Sequence, residues 1–293
     1  MASWALWLLL LAFAWNGQGC GMAPLNTKLV GGQAATTGKW PWQASLHIAT
    51  ATVASFYTCG GTLLSQQWVL TAANCMQTSA VGDYTVFLGR QTQQGPNPNE
   101  VQRSVSEIHI HPSYNASSFQ NDLALLRLDS TVQYTDYIQP ICLAASDSTF
   151  FNASCSVTGW GKQTQNATST SNVLQEMVVP LVTQEECQGY FKGVNITSAM
   201  LCAGEPGKGI CQNSVWLQVG IVSFGELCAN GIPDVYTKVS AFQSWIQQRV
   251  GVGGGAAEVA TIGFMTFPCS STSGVHHFTL FYLPLLPLLA LLG

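Results

Sequence analysis

Through residues 40–242 the apolar positions come in many short runs separated by turn-forming residues. Gln43-Ala44-Ser45-Leu46-His47-Ile48, Tyr84-Thr85-Val86-Phe87-Leu88, Glu176-Met177-Val178-Val179 and Val219-Gly220-Ile221-Val222 are examples. Short β-prone segments at this spacing predict an all-β sandwich or barrel. One stretch departs from the pattern: Ser240 is followed by Phe242, Trp245, Ile246 and Arg249 at helical spacing. A serine cap ahead of that stripe predicts a C-terminal helix that docks through its aromatic side. No internal repeat of solenoid period is present.

The two ends read differently from this middle. Residues 1–19 are an apolar run closing on Gly17-Gln18-Gly19. That is the pattern of a cleaved secretory signal, although the usual N-terminal positive charge is missing. Residues 251–277 begin with Gly251-Val252-Gly253-Gly254-Gly255, which reads as a flexible linker. Small residues (Ser270, Ser271, Ser273, Gly274) and a polar spacer with His276 and His277 come next. The almost wholly apolar tail, residues 278–293, then falls short of the roughly 20 residues a membrane-crossing helix needs. Small residues, spacer and apolar tail together predict a GPI-anchor signal, with a short single-pass anchor as the alternative.

Composition narrows the setting. Charged residues make up 8% of the chain and the net charge is −4, with no basic patch to support nucleic-acid binding. Ten cysteines behind a secretory signal predict an oxidising compartment and a disulfide framework. Four Asn-x-Ser/Thr triplets, at Asn115, Asn152, Asn166 and Asn195, predict surface glycosylation on an exported protein. No Cys/His cluster has zinc spacing and no Walker-type loop occurs, so no metal, nucleotide or other cofactor is expected.

A set of ordered motifs then identifies a family resemblance. Trp40-Pro41-Trp42-Gln43 comes first, followed by Cys59-Gly60-Gly61-Thr62-Leu63-Leu64-Ser65 and Trp68-Val69-Leu70-Thr71-Ala72-Ala73-Asn74-Cys75. Asn121-Asp122-Leu123-Ala124-Leu125-Leu126 and Val157-Thr158-Gly159-Trp160-Gly161 continue the series. Met200-Leu201-Cys202-Ala203-Gly204 and Pro233-Asp234-Val235-Tyr236-Thr237-Lys238-Val239 complete it. Across residues 29–250 the chain resembles the chymotrypsin/trypsin-like serine proteases, and most of all the membrane-anchored prostasin–testisin branch. The resemblance implies two antiparallel six-stranded β-barrels with a catalytic cleft between them. It also implies a propeptide over residues 20–28 and an activation junction at Lys28-Leu29-Val30-Gly31-Gly32.

The same resemblance locates the catalytic positions and shows two departures. Asp122 falls on the family's triad aspartate, in an otherwise apolar run. Asn74 stands where the family has its general-base histidine. A neutral amide does not titrate near pH 7, so it forms hydrogen bonds but cannot take a serine's proton. Without a base to orient, Asp122 reads best as a satisfied buried carboxylate, with the amide of Asn74 as its partner. The nucleophile is missing too. Where the family continues into Gly-Asp-Ser-Gly-Gly-Pro and a cysteine-bearing strand, this chain reads Ile210-Cys211-Gln212-Asn213-Ser214-Val215-Trp216, and no Asp-Ser-Gly triplet occurs anywhere. Ser214 lacks the flanking glycines of a nucleophile turn and reads as a strand-edge serine. The shortening near residues 212–215 predicts a damaged second barrel, loss of the oxyanion donors and loss of the aspartate that receives the new N-terminus.

Further roles come from the resemblance alone. It implies the disulfides Cys59–Cys75, Cys187–Cys202, Cys211–Cys228 and Cys20–Cys142, and leaves Cys155 and Cys269 unpaired. Gly209, Ser223, Gly225 and Asp234 fall in the substrate-pocket region. Gly209 occupies the position of the acidic residue at the pocket base, while Asp234 stands where glycine is usual. Asp234 either selects Arg or Lys from the opposite wall or is a solvated loop carboxylate. His109 and His111 read as part of a strand and its turn. Three functions remain in competition: an inactive protease homologue binding protein or peptide ligands, a serine endopeptidase represented here by an incomplete isoform or gene model, and a purely structural secreted protein.

Overall fold

The computed structural model describes residues 20–26, 33–49, 56–146, 148, 154–162, 169–204, 216–224 and 232–251. The signal, activation junction, linker and apolar tail expected at residues 1–19, 27–32 and 252–293 lie outside them, as do Asn152, Asn166, Gly209, Cys211, Ser214, Gly225, Cys228 and Cys269.

The first half of the chain is a closed barrel. Its strands are β2 (Gln43–Ala49), β3 (Phe56–Ser65), β4 (Trp68–Thr71), β5 (Tyr84–Leu88), β6 (Val101–Ile110) and β7 (Ala124–Leu128). They close in the order β2-β3-β4-β7-β6-β5, every neighbouring pair antiparallel. Period-2 alternation gives its strands an inward face: β5 alternates buried and half-buried along its whole length. Leu46, Leu63, Leu88 and Leu125 fill the interior and are fully buried.

Among the described residues the second half does not close. Strands β1 (Gln33–Ala34), β9 (Ser154–Gly159), β10 (Gln175–Val182), β11 (Met200–Ala203), β13 (Gly220–Phe224) and β14 (Asp234–Lys238) form one six-stranded sheet. Its main run is β10-β11-β14-β13, with β9 on the other flank of β10 and β1 beside the start of β10. β9 and β13 each have a single neighbouring strand among the described residues. The expected second barrel is therefore an open, curled sheet.

A short parallel pair, β8 (Cys142–Leu143) with β12 (Leu217–Gln218), joins the two halves. The Cys20–Cys142 disulfide fastens the N-terminal segment to β8, and Gly21 donates to the Pro140 carbonyl and accepts from Trp216 N–H. Gly38 turns the chain at φ 79°, where a Cβ would fall 2.4 Å from Leu25 Cδ1; glycine meets that turn without strain. Next to it Lys39 and Trp40 both donate to the carboxylate of Glu176 on β10, at 2.6 and 2.7 Å. Trp40, Trp42 and Trp216 stack edge to face and tilted around this junction.

The C-terminal helix is present: a 3-10 turn over Val239–Phe242 leads into α2 (Gln243–Gly251). Its Ile246 and Val250 are buried in the core cluster of the closed barrel. His111 lies against the rings of Phe242 and Trp245, at 5.1 and 5.0 Å. A second helix, α1 (Gln184–Tyr190), has no counterpart in the periodicity reading. Thr183 caps it by accepting from Glu186 N–H, and the Cys187–Cys202 disulfide ties it to β11. With seven residues it is too short to show a readable apolar stripe.

Candidate functional site

Asn74, Asp122 and Ser223 meet at the junction of the two halves. Asn74 sits in a 3-10 turn, Ala73–Cys75, directly after β4, and the Cys59–Cys75 disulfide anchors that turn to β3. Asp122 precedes β7 and follows Asn121, whose φ of 54° turns the chain into the strand. Ser223 comes from β13 of the open sheet, at the irregularity between Val222 and Phe224. Two segments of the barrel and one of the sheet thus converge on a single carboxylate.

That carboxylate is fully buried and has many donors. Asn74 N–H donates to Asp122 Oδ1 at 2.8 Å, and the Asn74 Nδ2 amide donates to Oδ2 at 2.8 Å. The Ser223 hydroxyl also donates to Oδ2. Asn74 Nδ2 donates a second hydrogen bond to the Ser223 carbonyl at 2.9 Å. From β14, the Thr237 hydroxyl donates to the Asp122 carbonyl at 2.8 Å. Burial is the largest influence on Asp122 and pushes its carboxyl above the usual range; the hydrogen bonds from Ser223, Asn74 and Ala73 act against it. Burial, and after it the nearby Asp122 charge, raises the Tyr114 phenol above its ordinary value.

Chemically this is a donor-saturated carboxylate with no titratable base on it. Both Asn74 Nδ2 protons are committed, one to Asp122 and one to the Ser223 carbonyl. The amide holds the place between carboxylate and sheet without being able to exchange a proton near neutral pH. Ser223, expected in the substrate-pocket region, directs its hydroxyl at Asp122. The two histidines read as a strand and its turn lie elsewhere: His109 pairs with Glu107 on β6, and His111 lies under α2.

Asp234 is on β14, opposite Ala203. It is buried, and its Oδ1 has no hydrogen-bond partner among the described residues. Burial alone pushes its carboxyl up to about 6. A buried carboxylate oxygen without a donor among the described residues is costly, which separates Asp234 from the well-bonded Asp122. The solvated-loop alternative does not apply, because the residue lies within a strand and only 8% exposed.

Of the four disulfides implied by resemblance, the described residues contain Cys20–Cys142, Cys59–Cys75 and Cys187–Cys202. Cys155 is free on β9. Asn115 and Asn195 are exposed, and the Asn115 side chain accepts from the backbone of Ser117 and Ser118.

The buried pair of Lys39 with Glu176 was not legible in the sequence. Only the crossing of the segment before β2 over β10 brings them within 2.6 Å.

A closed six-stranded antiparallel barrel, a second curled sheet, a C-terminal helix and an aspartate at their junction define a serine-protease type of architecture. The trypsin family model matches residues 29–246, and the chain belongs to the trypsin family. Disulfide cross-linking of such a domain fits an extracellular or secreted setting. No helix among the described residues is long and apolar enough to cross a membrane.

Proposed function

We propose that this chain is a catalytically inactive trypsin-family protein, a pseudoprotease that acts by binding protein or peptide ligands. The observation that carries the reading is the Asn74 amide lodged on Asp122, where a working site has its proton acceptor. The missing Asp-Ser-Gly segment removes the nucleophile and the oxyanion donors as well. A triad variant that keeps its oxyanion hole retains about 10³–10⁴-fold catalysis over water; here that remainder is absent too. The protein is secreted or held at the cell surface, with glycans at its Asn-x-Ser/Thr sites and a C-terminal GPI anchor. Relationship to the prostasin–testisin branch belongs to the same reading, as do cleavage after Lys28 and the pocket roles of Gly209, Ser223, Gly225 and Asp234.

The test uses the purified protein cleaved after Lys28. Neither labelling by a serine-directed fluorophosphonate nor burst hydrolysis of an arginyl ester is expected. Stoichiometric labelling of any serine would overturn the proposal. Restoring histidine alone, by Asn74→His, should leave both assays blank, since no activated serine is supplied.

The open edges of β9 and β13 favour one second reading: an endopeptidase isoform carrying the additional strand and its serine. Sequencing the transcript across codons 205–220 distinguishes them. Even with that segment present, Asn74 is expected to lower kcat by about 10⁴-fold or more.

A further inference from the structure

The edge strand β9 has the marks of a pairing surface. Its residues, Ser-Cys-Ser-Val-Thr-Gly, include no charge and no proline, two of the devices that keep exposed edges apart, and no described strand pairs with its far side. On one side it is bonded to β10, from Gln175↔Gly159 to Pro180↔Ser154. Pro180 has no N–H, so its pair with Ser154 is a non-hydrogen-bonded one. Alternation then makes Cys155↔Val179 and Val157↔Met177 the bonded pairs. The N–H and C=O groups of Ser154, Ser156 and Thr158 therefore point away from β10, to the edge that no described strand occupies.

Cys155 lies between Ser154 and Ser156. A strand added antiparallel at this edge would bond to those two serines and meet Cys155 in a non-hydrogen-bonded pair, at a Cα separation of about 4.5 Å. Disulfides span Cα separations of about 4.4–6.8 Å, so a cysteine opposite Cys155 could be bridged without moving either backbone. The thiol is free and half-buried. Ser154-Cys155-Ser156 also reads the same in both directions. A copy turned by a two-fold axis through Cys155 presents its own serines to these serines and its own thiol to this thiol.

We propose that β9 is a homodimerisation edge, at which two copies of this chain pair antiparallel about Cys155 and become joined by a Cys155–Cys155 disulfide. The proposal rests on the sheet edge alone and holds whether or not the Asp122 site is active. Forming the bond removes two protons and two electrons from the two thiols. A small disulfide such as oxidised glutathione accepts them, through a mixed disulfide with one Cys155, and leaves as two thiols. Burial raises the Cys155 thiol to about 11, so few thiolates exist at neutral pH and bond formation is slow. Two short strands bury far less than the roughly 1,200 Å² of stable interfaces, so the dimer persists only once the bond has formed.

The experiment takes the full secreted chain through oxidation by a glutathione redox pair at pH 8.5, followed by non-reducing gel electrophoresis, size exclusion and peptide mass spectrometry. The expected result is a dimer that dithiothreitol reverts to monomer, with a Cys155–Cys155 cross-linked peptide. Cys155→Ser should remove the covalent dimer. Ser156→Pro deletes only an N–H that faces the free edge, a position where proline is tolerated; this variant should keep its circular dichroism and stay monomeric. A Cys155–Cys269 bond within one chain would overturn the proposal. So would a monomer with Cys155 still reduced, or a Cys155-linked dimer formed equally well by Ser156→Pro.

Discussion

The two β units of this molecule use the same antiparallel strands and reach opposite outcomes. In the barrel of β2 to β7 each strand has two neighbours, and inward residues such as Leu46, Leu63 and Leu125 are fully buried. In the sheet, Val222 on β13 pairs with Tyr236 on β14 and shares its face, yet Val222 is 40% exposed while Tyr236 is 7% exposed. Alternation aims a side chain inward, but only closure provides something for it to pack on. The sheet's buried apolar residues form two small clusters, around Val235 and around Tyr236, while Ile221 packs instead against the continuous core that fills the barrel.

The site lies across this contrast. Its carboxylate belongs to the barrel; from the sheet, the Ser223 hydroxyl donates to that carboxylate and the Thr237 hydroxyl donates to the Asp122 backbone carbonyl. The Asn74 bridge to the Ser223 carbonyl therefore also couples the two units.

The largest expected effect concerns the other coupling. Glu176→Gln would leave Lys39 buried against a neutral partner, and breaking such a pair typically costs about 3–5 kcal/mol. Denaturant unfolding should show this loss, and with it a separation of the transitions of barrel and sheet. If the two units still unfold together at unchanged midpoint, the pair does not join them.

Leu125→Ala and Val222→Ala compare the interiors directly. The first should cost about 2–5 kcal/mol, as for leucines in closed cores. The second should cost less than about 1 kcal/mol, because its methyl groups already face water. Similar costs for the two would mean that the sheet interior is as closed as the barrel.

Asp234→Asn tests the sheet's electrostatics with a pH signature. The folded-state pKa of about 6 lies above the ordinary 3.8. Its stabilising contribution is thus complete below about pH 4 and lost as pH rises through 6, leaving a penalty above that. A shift of this size corresponds to at most about 3 kcal/mol. The variant should raise the melting temperature at pH 7.5 and leave it nearly unchanged at pH 4. A uniform shift at both pH values would mean that the carboxylate finds a donor.

Strand and motif positions were readable because they are local. Residues 84–88 carry their alternation openly, and β5 occupies that span. The exchange of histidine for Asn74 and the lost serine segment were visible from spacing against a family pattern. The amide of Asn74, expected as the partner of Asp122, does donate to it. Three things were not visible. Helix α1 is too short for a periodic signal. The Lys39–Glu176 pair joins residues 137 positions apart. The geometry of Ser223, directed at the carboxylate, depends on where β13 docks.

Strand periods, the trypsin family and the Asn74–Asp122 contact were all readable from residue type and spacing. The folded arrangement sets which inward residues are dry, how many donors reach Asp122 and Asp234 among the described residues, and which described strand edges have a single neighbour. Burial, hydrogen-bond satisfaction and edge pairing depend on neighbours far away in the chain, and a neighbour that is missing leaves its mark only after the rest has folded.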